Sequence, residues 1–123
     1  MATTPQRAAA DVAERSALVA RQTGQRVLGV VENMAGLPQP DGSVLELFGS
    51  GGGEEVAGRL AVPILTRVPI SVRLREGGDA GAPIVLTDAA DPGSVAIREL
   101  ADAIDGSRPG LAGRGIPLAP KQA

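Results

Sequence analysis

The stretch that decides the fold covers residues 26–53 and reads RVLGVVENMAGLPQPDGSVLELFGSGGG. It begins with an unbroken apolar run at 27–31, which predicts a strand covered on both faces, because a strand with one wet face would alternate. Such strands belong mostly to parallel sheets with helices on each side. The run ends at Glu32 and Asn33, and ligands of open α/β sheets bind beyond the carboxyl ends of the strands. The loop that starts at Asn33 is therefore the first place to look for a binding site.

The flanking sequence predicts helices and strands in alternation. Thr4 and Pro5 are typical of the start of a helix, which we expect to run to about residue 22. The other predicted elements are a helix at 54–60, a strand near 63–70, a helical turn at 71–76 ended by two glycines, an extended piece at 84–86 and a helix at 92–104. From residue 106 the chain is rich in Gly and Pro, and we expect a flexible tail over 106–123.

The composition excludes several kinds of site. The formal net charge of −2 provides no basic surface of the kind that binds nucleic acid. The chain has no Cys and no His, which removes thiolate and imidazole metal ligands and a Ser-His-Asp nucleophile. We therefore assign no catalytic residue and no metal ligand. No apolar run approaches the roughly 20 residues of a membrane span, and no signal peptide pattern is present, so we expect a cytoplasmic protein.

Two features allow a ligand-binding and a purely structural interpretation. The glycine-rich segment 49–53 precedes a helix, where backbone N–H groups can hold a phosphate. However, no Gly-Lys-Ser/Thr follows, and Glu54 and Glu55 would repel an anion, so a tight turn is favoured. Asn33 carries an amide that both donates and accepts, as contact with a nucleotide base requires. The alternative is an asparagine that merely caps a turn.

Five motifs follow one another along the chain in a specific order. They are Thr-Thr-Pro-Gln at 3–6, Val-Val-Glu-Asn-Met at 30–34, Phe-Gly-Ser-Gly-Gly-Gly at 48–53, Val-Pro-Ile at 68–70 and Arg-Glu-Gly-Gly-Asp-Ala-Gly-Ala-Pro-Ile-Val at 75–85. Their order and spacing resemble the carboxyl-terminal part of the Mrp/ApbC family of iron–sulfur cluster carrier ATPases. These are P-loop proteins related to MinD and to the nitrogenase iron protein. The resemblance covers residues 1–105.

The resemblance implies a doubly wound α/β fold, with ATP bound between two subunits and a cluster carried at the dimer interface for delivery to apoproteins. Asn33 matches the asparagine expected to contact adenine, and Pro69 matches the proline of a second base-side loop. Thr3 and Thr4 match a segment near the nucleotide pocket. The family usually has an acidic residue two positions after this proline, where this chain has Ser71.

The chain departs from the family pattern in two ways. The family's Cys-x-x-Cys lies between the Glu-Asn-Met and Phe-Gly motifs, where this chain reads Leu-Pro-Gln-Pro-Asp-Gly at 37–42. Because iron–sulfur clusters need thiolates, the chain cannot hold one in that manner. The deviant Walker A loop, its Lys and the acidic switch residues belong to the family's amino-terminal half, and no match to them is present.

We therefore predict an α/β fold with a partial doubly wound parallel sheet and flanking helices, lacking the amino-terminal P-loop half. The leading interpretation is a truncated carrier protein that contributes the adenine side of an ATP site. It would be unable to hydrolyse ATP alone, since Mg²⁺ and the phosphate-binding Lys belong to the intact fold. The alternative is a non-catalytic interaction module that pairs with another P-loop subunit. A MinD/ParA-like partitioning ATPase is a third interpretation, against which the motif at 48–53 argues.

Overall fold

The computed structural model describes residues 1–107, which form an α/β domain. Along the chain the elements are β1 (Ala2–Thr3), α1 (Arg7–Gln22), β2 (Val30–Asn33), β3 (Leu37–Pro38), β4 (Val44–Leu45), α2 (Gly52–Leu60), β5 (Ile64–Val68), α3 (Val72–Asp79), α4 (Ile84–Thr87) and α5 (Pro92–Gly106). The tail predicted over 106–123 lies outside the described residues from 108 onward. None of the helices within 1–107 is long and apolar enough to span a membrane.

The main sheet has three parallel strands in the order β1-β2-β5. Thr3 lies opposite Glu32 in β2, and Asn33 lies opposite Val68 in β5. Strands β3 and β4 form a separate antiparallel hairpin. The predicted parallel sheet with flanking helices is confirmed.

The core lies between the sheet and the pair α1 and α2. Its buried members are mostly small: Ala10, Ala13, Ala17, Val30, Val56, Ala57 and Leu60. The small alanine stripe lets α1 approach α2 and the sheet closely, which compensates for the scarcity of large side chains. Arg21 of α1 donates to the Leu60 carbonyl, and α5 packs along β5 on another side of the sheet.

The predicted strand at 27–31 is wrong in its bounds, because β2 begins only at Val30. Residue 30 pairs with Ile64, the first residue of β5, so residues 27–29 have no strand residue of β5 to pair with. Coverage of the second face is also incomplete. Val31 is only partly buried and lines a cavity of about 310 Å³ together with Leu65 and Leu100.

Three local predictions are also wrong. Helix α1 begins at Arg7, and the position before it is Gln6, which makes no side-chain cap. Helix α3 continues through its two glycines to Asp79, and residues 84–87 are helical instead of extended. The glycines do not break α3. A side chain on Gly77 would lie 2.6 Å from the Ala82 carbonyl oxygen, so glycine there lets the following turn pack against the helix.

Candidate functional site

The carboxyl ends of the three parallel strands meet at one edge of the sheet. Thr4 follows β1, Asn33 is the last residue of β2, and Pro69 follows β5. The residues predicted from sequence are thus brought to the same edge, which is where open α/β sheets bind ligands.

A cleft of about 400 Å³ opens at this edge. It is lined by Thr3, Thr4 and Asn33 and, on its other side, by residues of α1: Ala9, Val12, Ala13 and Ser16. Pro69 does not line this cleft. The sheet therefore joins three of the four predicted residues in one concave site and leaves the fourth in the neighbouring loop.

The Asn33 side chain is exposed at the mouth of the cleft. Its Oδ1 accepts a hydrogen bond from the Met34 backbone N–H at 2.9 Å. Met34 has a φ of 55°, a left-handed conformation that is uncommon for a residue with a side chain. The local bond orients the amide but uses one lone pair of Oδ1. The second lone pair and the two N–H donors remain for a ligand.

The two threonines differ in how their hydroxyl groups are satisfied. Thr3 is buried and its hydroxyl donates to the Thr4 carbonyl at 3.3 Å. The Thr4 hydroxyl oxygen is buried and has no hydrogen-bond partner within residues 1–107. Thr4 lines the cleft, but its hydroxyl oxygen is shielded from solvent. Within the described part of the chain it is therefore an unpaired buried polar atom, which is rare in proteins.

Glu32 is a functional candidate that the sequence reasoning missed, because it was treated only as the polar end of a strand. The residue is 3% exposed. Its Oε2 accepts from the Gly53 backbone N–H at 2.6 Å, and its Oε1 lies 3.6 Å from Nε of Arg67. Arg67 also pairs with Glu54. The available signal was a carboxylate directly after an apolar run, at the carboxyl end of a predicted strand.

The contacts of Glu32 explain the glycines at the start of α2. A side-chain carbon on Gly53 would lie 2.9 Å from Cδ of Glu32 and nearer still to its carboxylate oxygen. A carbon on Gly52 would lie 2.5 Å from the Pro5 carbonyl oxygen. The positive end of α2 is thus occupied by the protein's own carboxylate. This arrangement favours the structural interpretation of the segment at 49–53 over a phosphate site.

The loops after β2 and β5 are tied together by backbone hydrogen bonds. The Ala35 N–H donates to the Val68 carbonyl at 3.0 Å, and the Ile70 N–H donates to the Gly36 carbonyl at 2.8 Å. These bonds flank Pro69, so its position relative to the loop of Asn33 is fixed by the backbone.

Ser71, where the family has an acidic residue, links the starts of two helices. Its hydroxyl oxygen accepts from the Leu74 N–H at 3.1 Å and caps α3, and the same hydroxyl donates to Oδ2 of Asp91 at 3.1 Å. Asp91 in turn caps α5 by accepting from the Gly93 N–H at 2.7 Å. The role of Ser71 in this chain is therefore structural.

The segment at 37–42, where the resemblance implies a Cys-x-x-Cys, contains β3 and the start of the turn that leads to β4. Positions 41–50, which include the second strand of the hairpin, are exposed. Among residues 1–107 no group of three or more His, Cys, Asp or Glu side chains is placed to hold a metal ion. Apolar side chains of this region are exposed as well: Val44, Leu45, Leu47 and Phe48.

This parallel sheet with flanking helices has the fold of part of the MinD cell division proteins. The cell division ATPase MinD of Pyrococcus furiosus superposes with a TM-score of 0.68 at 24% sequence identity, over 85% of this chain and 40% of that chain. A nucleotide-binding protein in complex with ADP from Archaeoglobus fulgidus superposes with a TM-score of 0.55 at 39% identity, over 64% of this chain and 33% of that chain. These similarities confirm the predicted fold class.

Residues 1–105 match the ParA family model described as NUBPL iron-transfer P-loop NTPase, and the chain belongs to this family. It is similar to the iron-sulfur cluster carrier protein of Mycobacterium leprae, at 46% identity over 98% of this chain and 33% of that protein. The corresponding protein of Synechocystis is 42% identical over 85% of this chain and 30% of that protein. The resemblance to iron–sulfur cluster carriers is confirmed, and the chain spans about a third of the length of these curated relatives.

Proposed function

We propose that this chain forms the adenine side of the ATP site of an iron–sulfur cluster carrier, with Asn33 as the residue that contacts the base. The observation that carries the proposal is the exposed, oriented amide of Asn33 at the mouth of the cleft that also includes Thr3 and Thr4. Family membership supports a nucleotide as the ligand, since the family is one of P-loop NTPases.

The geometry of the amide favours adenine over guanine. The hydrogen bond from the Met34 N–H to Oδ1 fixes the orientation of the Asn33 amide. The free lone pair of Oδ1 and the N–H donors of Nδ2 therefore face a ligand in one arrangement. Adenine presents an amino donor beside a ring-nitrogen acceptor, which is complementary to an amide. Guanine presents an oxygen acceptor where adenine has its amino donor. Thr3 and Thr4 form part of the wall of the same cleft. Pro69, which the resemblance assigns to a second base-side loop, lies in the loop that is tied to the Asn33 loop by backbone hydrogen bonds.

This assignment can be tested by titrating ADP, and separately GDP, into the full 123-residue chain labelled with ¹⁵N and recording NMR spectra. We expect ADP in the millimolar range to shift the Asn33 side-chain amide signals in a saturable manner, and GDP to shift them less. Asn33→Ala should abolish saturation. Gln22→Ala is the matched control, because it removes an exposed amide at the far end of α1. Shifts that leave Asn33 unaffected, or an Asn33→Ala variant that still binds ADP, would refute the assignment.

We further propose that the chain does not hydrolyse ATP on its own. Phosphoryl transfer by P-loop NTPases relies on a phosphate-binding Lys and on Mg²⁺ to stabilise the charge that develops on the phosphate, and residues 1–107 contain no Lys. The positive end of α2 is already occupied by Glu32. The purified chain should therefore release phosphate from ATP at the rate of the buffer blank. A rate well above that blank, unchanged by repeated purification, would contradict this expectation.

A second candidate function, pairing with a P-loop-bearing subunit, is favoured by the free edge of the sheet. Within the described residues, β1 has a strand neighbour only on the side of β2. Beside it, Val12 and Val19 of α1 are 62% and 58% exposed. An unpaired edge next to an apolar face favours association. Co-purification of a Walker A-bearing protein with the natively expressed chain supports this function, and a chain recovered alone contradicts it.

We also propose that the chain forms a cytoplasmic homodimer. Delivery of clusters to apoproteins is the function that the resemblance implies for the carrier family, since this chain has no Cys to hold a cluster. The exposed apolar side chains of the hairpin region, such as Leu45 and Leu47, support an interface there. Leu45→Glu should lower the mass measured by light scattering from that of a dimer to that of a monomer. A wild-type chain that is monomeric at all concentrations would contradict the dimer.

A further inference from the structure

Glu32 is an unusual residue for its location. It lies inside the sheet, 3% exposed, between strands β1 and β5. Burying a carboxylate is unfavourable unless it is paired and hydrogen-bonded. An apolar residue at this position would fill the space without that penalty. The reason for a carboxylate here must therefore lie in the contacts that it makes.

The carboxylate joins three elements at the carboxyl edge of the sheet. It receives the Gly53 N–H at the start of α2, and it faces the Arg67 guanidinium from β5. On the backbone side, Glu32 is paired with Thr3 of β1. The end of β2 is thereby fixed from α2, from β5 and from β1. The residue held immediately beyond this anchor is Asn33.

We infer that Glu32 is a positioning residue for the Asn33 amide, acting through the fixed end of β2 and its contact with α2. This inference rests on the proposed function of Asn33 as the adenine contact. A side-chain amide can hold its donor and acceptor in the orientation that a base requires only if the backbone that carries it is rigid. The left-handed Met34 that follows shows that the chain turns sharply directly after the anchor.

The anchor depends on a glycine at position 53. Any side chain there would occupy the space of the Glu32 carboxylate. The sequence pair Glu32 and Gly53, separated by 21 positions, therefore works as one unit. This gives the last glycine of the segment at 49–53 a role in the site although it contacts no ligand.

Two substitutions separate the hydrogen bond from the charge. Glu32→Gln keeps an oxygen that accepts from the Gly53 N–H but loses the ion pair with Arg67, whereas Glu32→Ala loses both. Glu55→Gln is the matched control, because it removes the charge of a Glu that pairs with Arg59 on the surface of α2. Circular dichroism and the dispersion of the NMR spectrum establish which variants are folded.

The readouts are ADP affinity and hydrogen exchange of the Met34 amide, whose bond to Oδ1 reports the orientation of Asn33. We expect Glu32→Ala to weaken ADP binding on the order of tenfold, equivalent to one hydrogen bond to a charged group. Glu32→Gln should recover most of that loss, and Glu55→Gln should match wild type. Met34 exchange should be faster in Glu32→Ala, even without nucleotide, and unchanged in Glu55→Gln.

The outcomes separate the two proposals. If wild type shows no Asn33 response to ADP, the proposed adenine contact fails, while accelerated Met34 exchange in the ligand-free variants still supports the positioning role. If Asn33→Ala loses ADP but a folded Glu32→Ala binds it normally with wild-type Met34 exchange, the positioning role is overturned alone. Should Glu32→Ala not fold, Glu32→Met decides, because it fills the same space but removes both the hydrogen bond and the charge. Met34 exchange faster than in Glu55→Gln then supports the role, and equal exchange overturns it.

Discussion

Replacing Gly53 by Ala is expected to destabilise the protein, although alanine is the better helix former. The added carbon would lie 2.9 Å from Cδ of Glu32, inside van der Waals contact, so the carboxylate must move. Displacing it breaks a buried hydrogen bond to a charged group, which amounts to about 1–3 kcal/mol. The higher helix propensity of Ala offsets at most about 1 kcal/mol of this loss. The net effect is a loss of up to about 2 kcal/mol in the free energy of unfolding.

Gly58 provides the matched control within the same helix. A side chain there meets nothing within 4 Å, so Gly58→Ala should stabilise the protein by about 0.5–1 kcal/mol through propensity alone. Urea denaturation followed by circular dichroism measures both. With a slope of about 1–3 kcal/mol per molar urea, the two midpoints should move in opposite directions, by up to roughly 1–2 M for Gly53→Ala. Two variants that shift the midpoint in the same direction and by the same amount would refute the reasoning.

Further predictions concern the core, the helix starts and pH. Leu60→Ala, which empties the largest fully buried side chain, should lower the free energy of unfolding by about 2–5 kcal/mol in the same urea assay. Asp91→Ala should lose about 1 kcal/mol by uncapping the Gly93 N–H, and Asp91→Asn, which keeps an accepting oxygen, should lose little. The pKa of Glu54 is lowered by a hydrogen bond from its own backbone N–H and by Arg67, which outweigh burial. Its stabilising effect should be present near neutral pH and vanish as pH falls through that lowered pKa, so Glu54→Gln and wild type should converge in acid.

The sequence predicted those parts of the fold that depend on neighbouring residues. The final helix was predicted at 92–104 and is observed as Pro92–Gly106, because its start signal and apolar spacing are local. The strand predicted near 63–70 is present as Ile64–Val68. Strand β1 is only two residues long, and its pairing with β2, which no local pattern defines, shows it to be a strand. The glycines of α3 were misinterpreted because the turn that packs against them is a tertiary contact.

The candidate site shows the same division. The carboxyl end of a buried strand singled out Asn33, and motif resemblance added Pro69, Thr3 and Thr4, all of which lie at one edge of the sheet. That three of them share a cleft, and that Pro69 lies outside it, depends on strand order and helix packing. These are not encoded in spacing along the chain.

By itself the sequence determined the fold class and the family, and it predicted the edge of the sheet where we propose the site, because apolar periodicity, turn residues and motif order are one-dimensional properties. The tertiary structure alone decided the role of Glu32 and of the glycines at the start of α2. A buried carboxylate is acceptable only when its partners arrive from other elements, and Gly53 and Arg67 are brought to Glu32 by the packing of α2 and β5. Which polar residue is buried and paired is thus settled by distances in space between residues far apart in the chain.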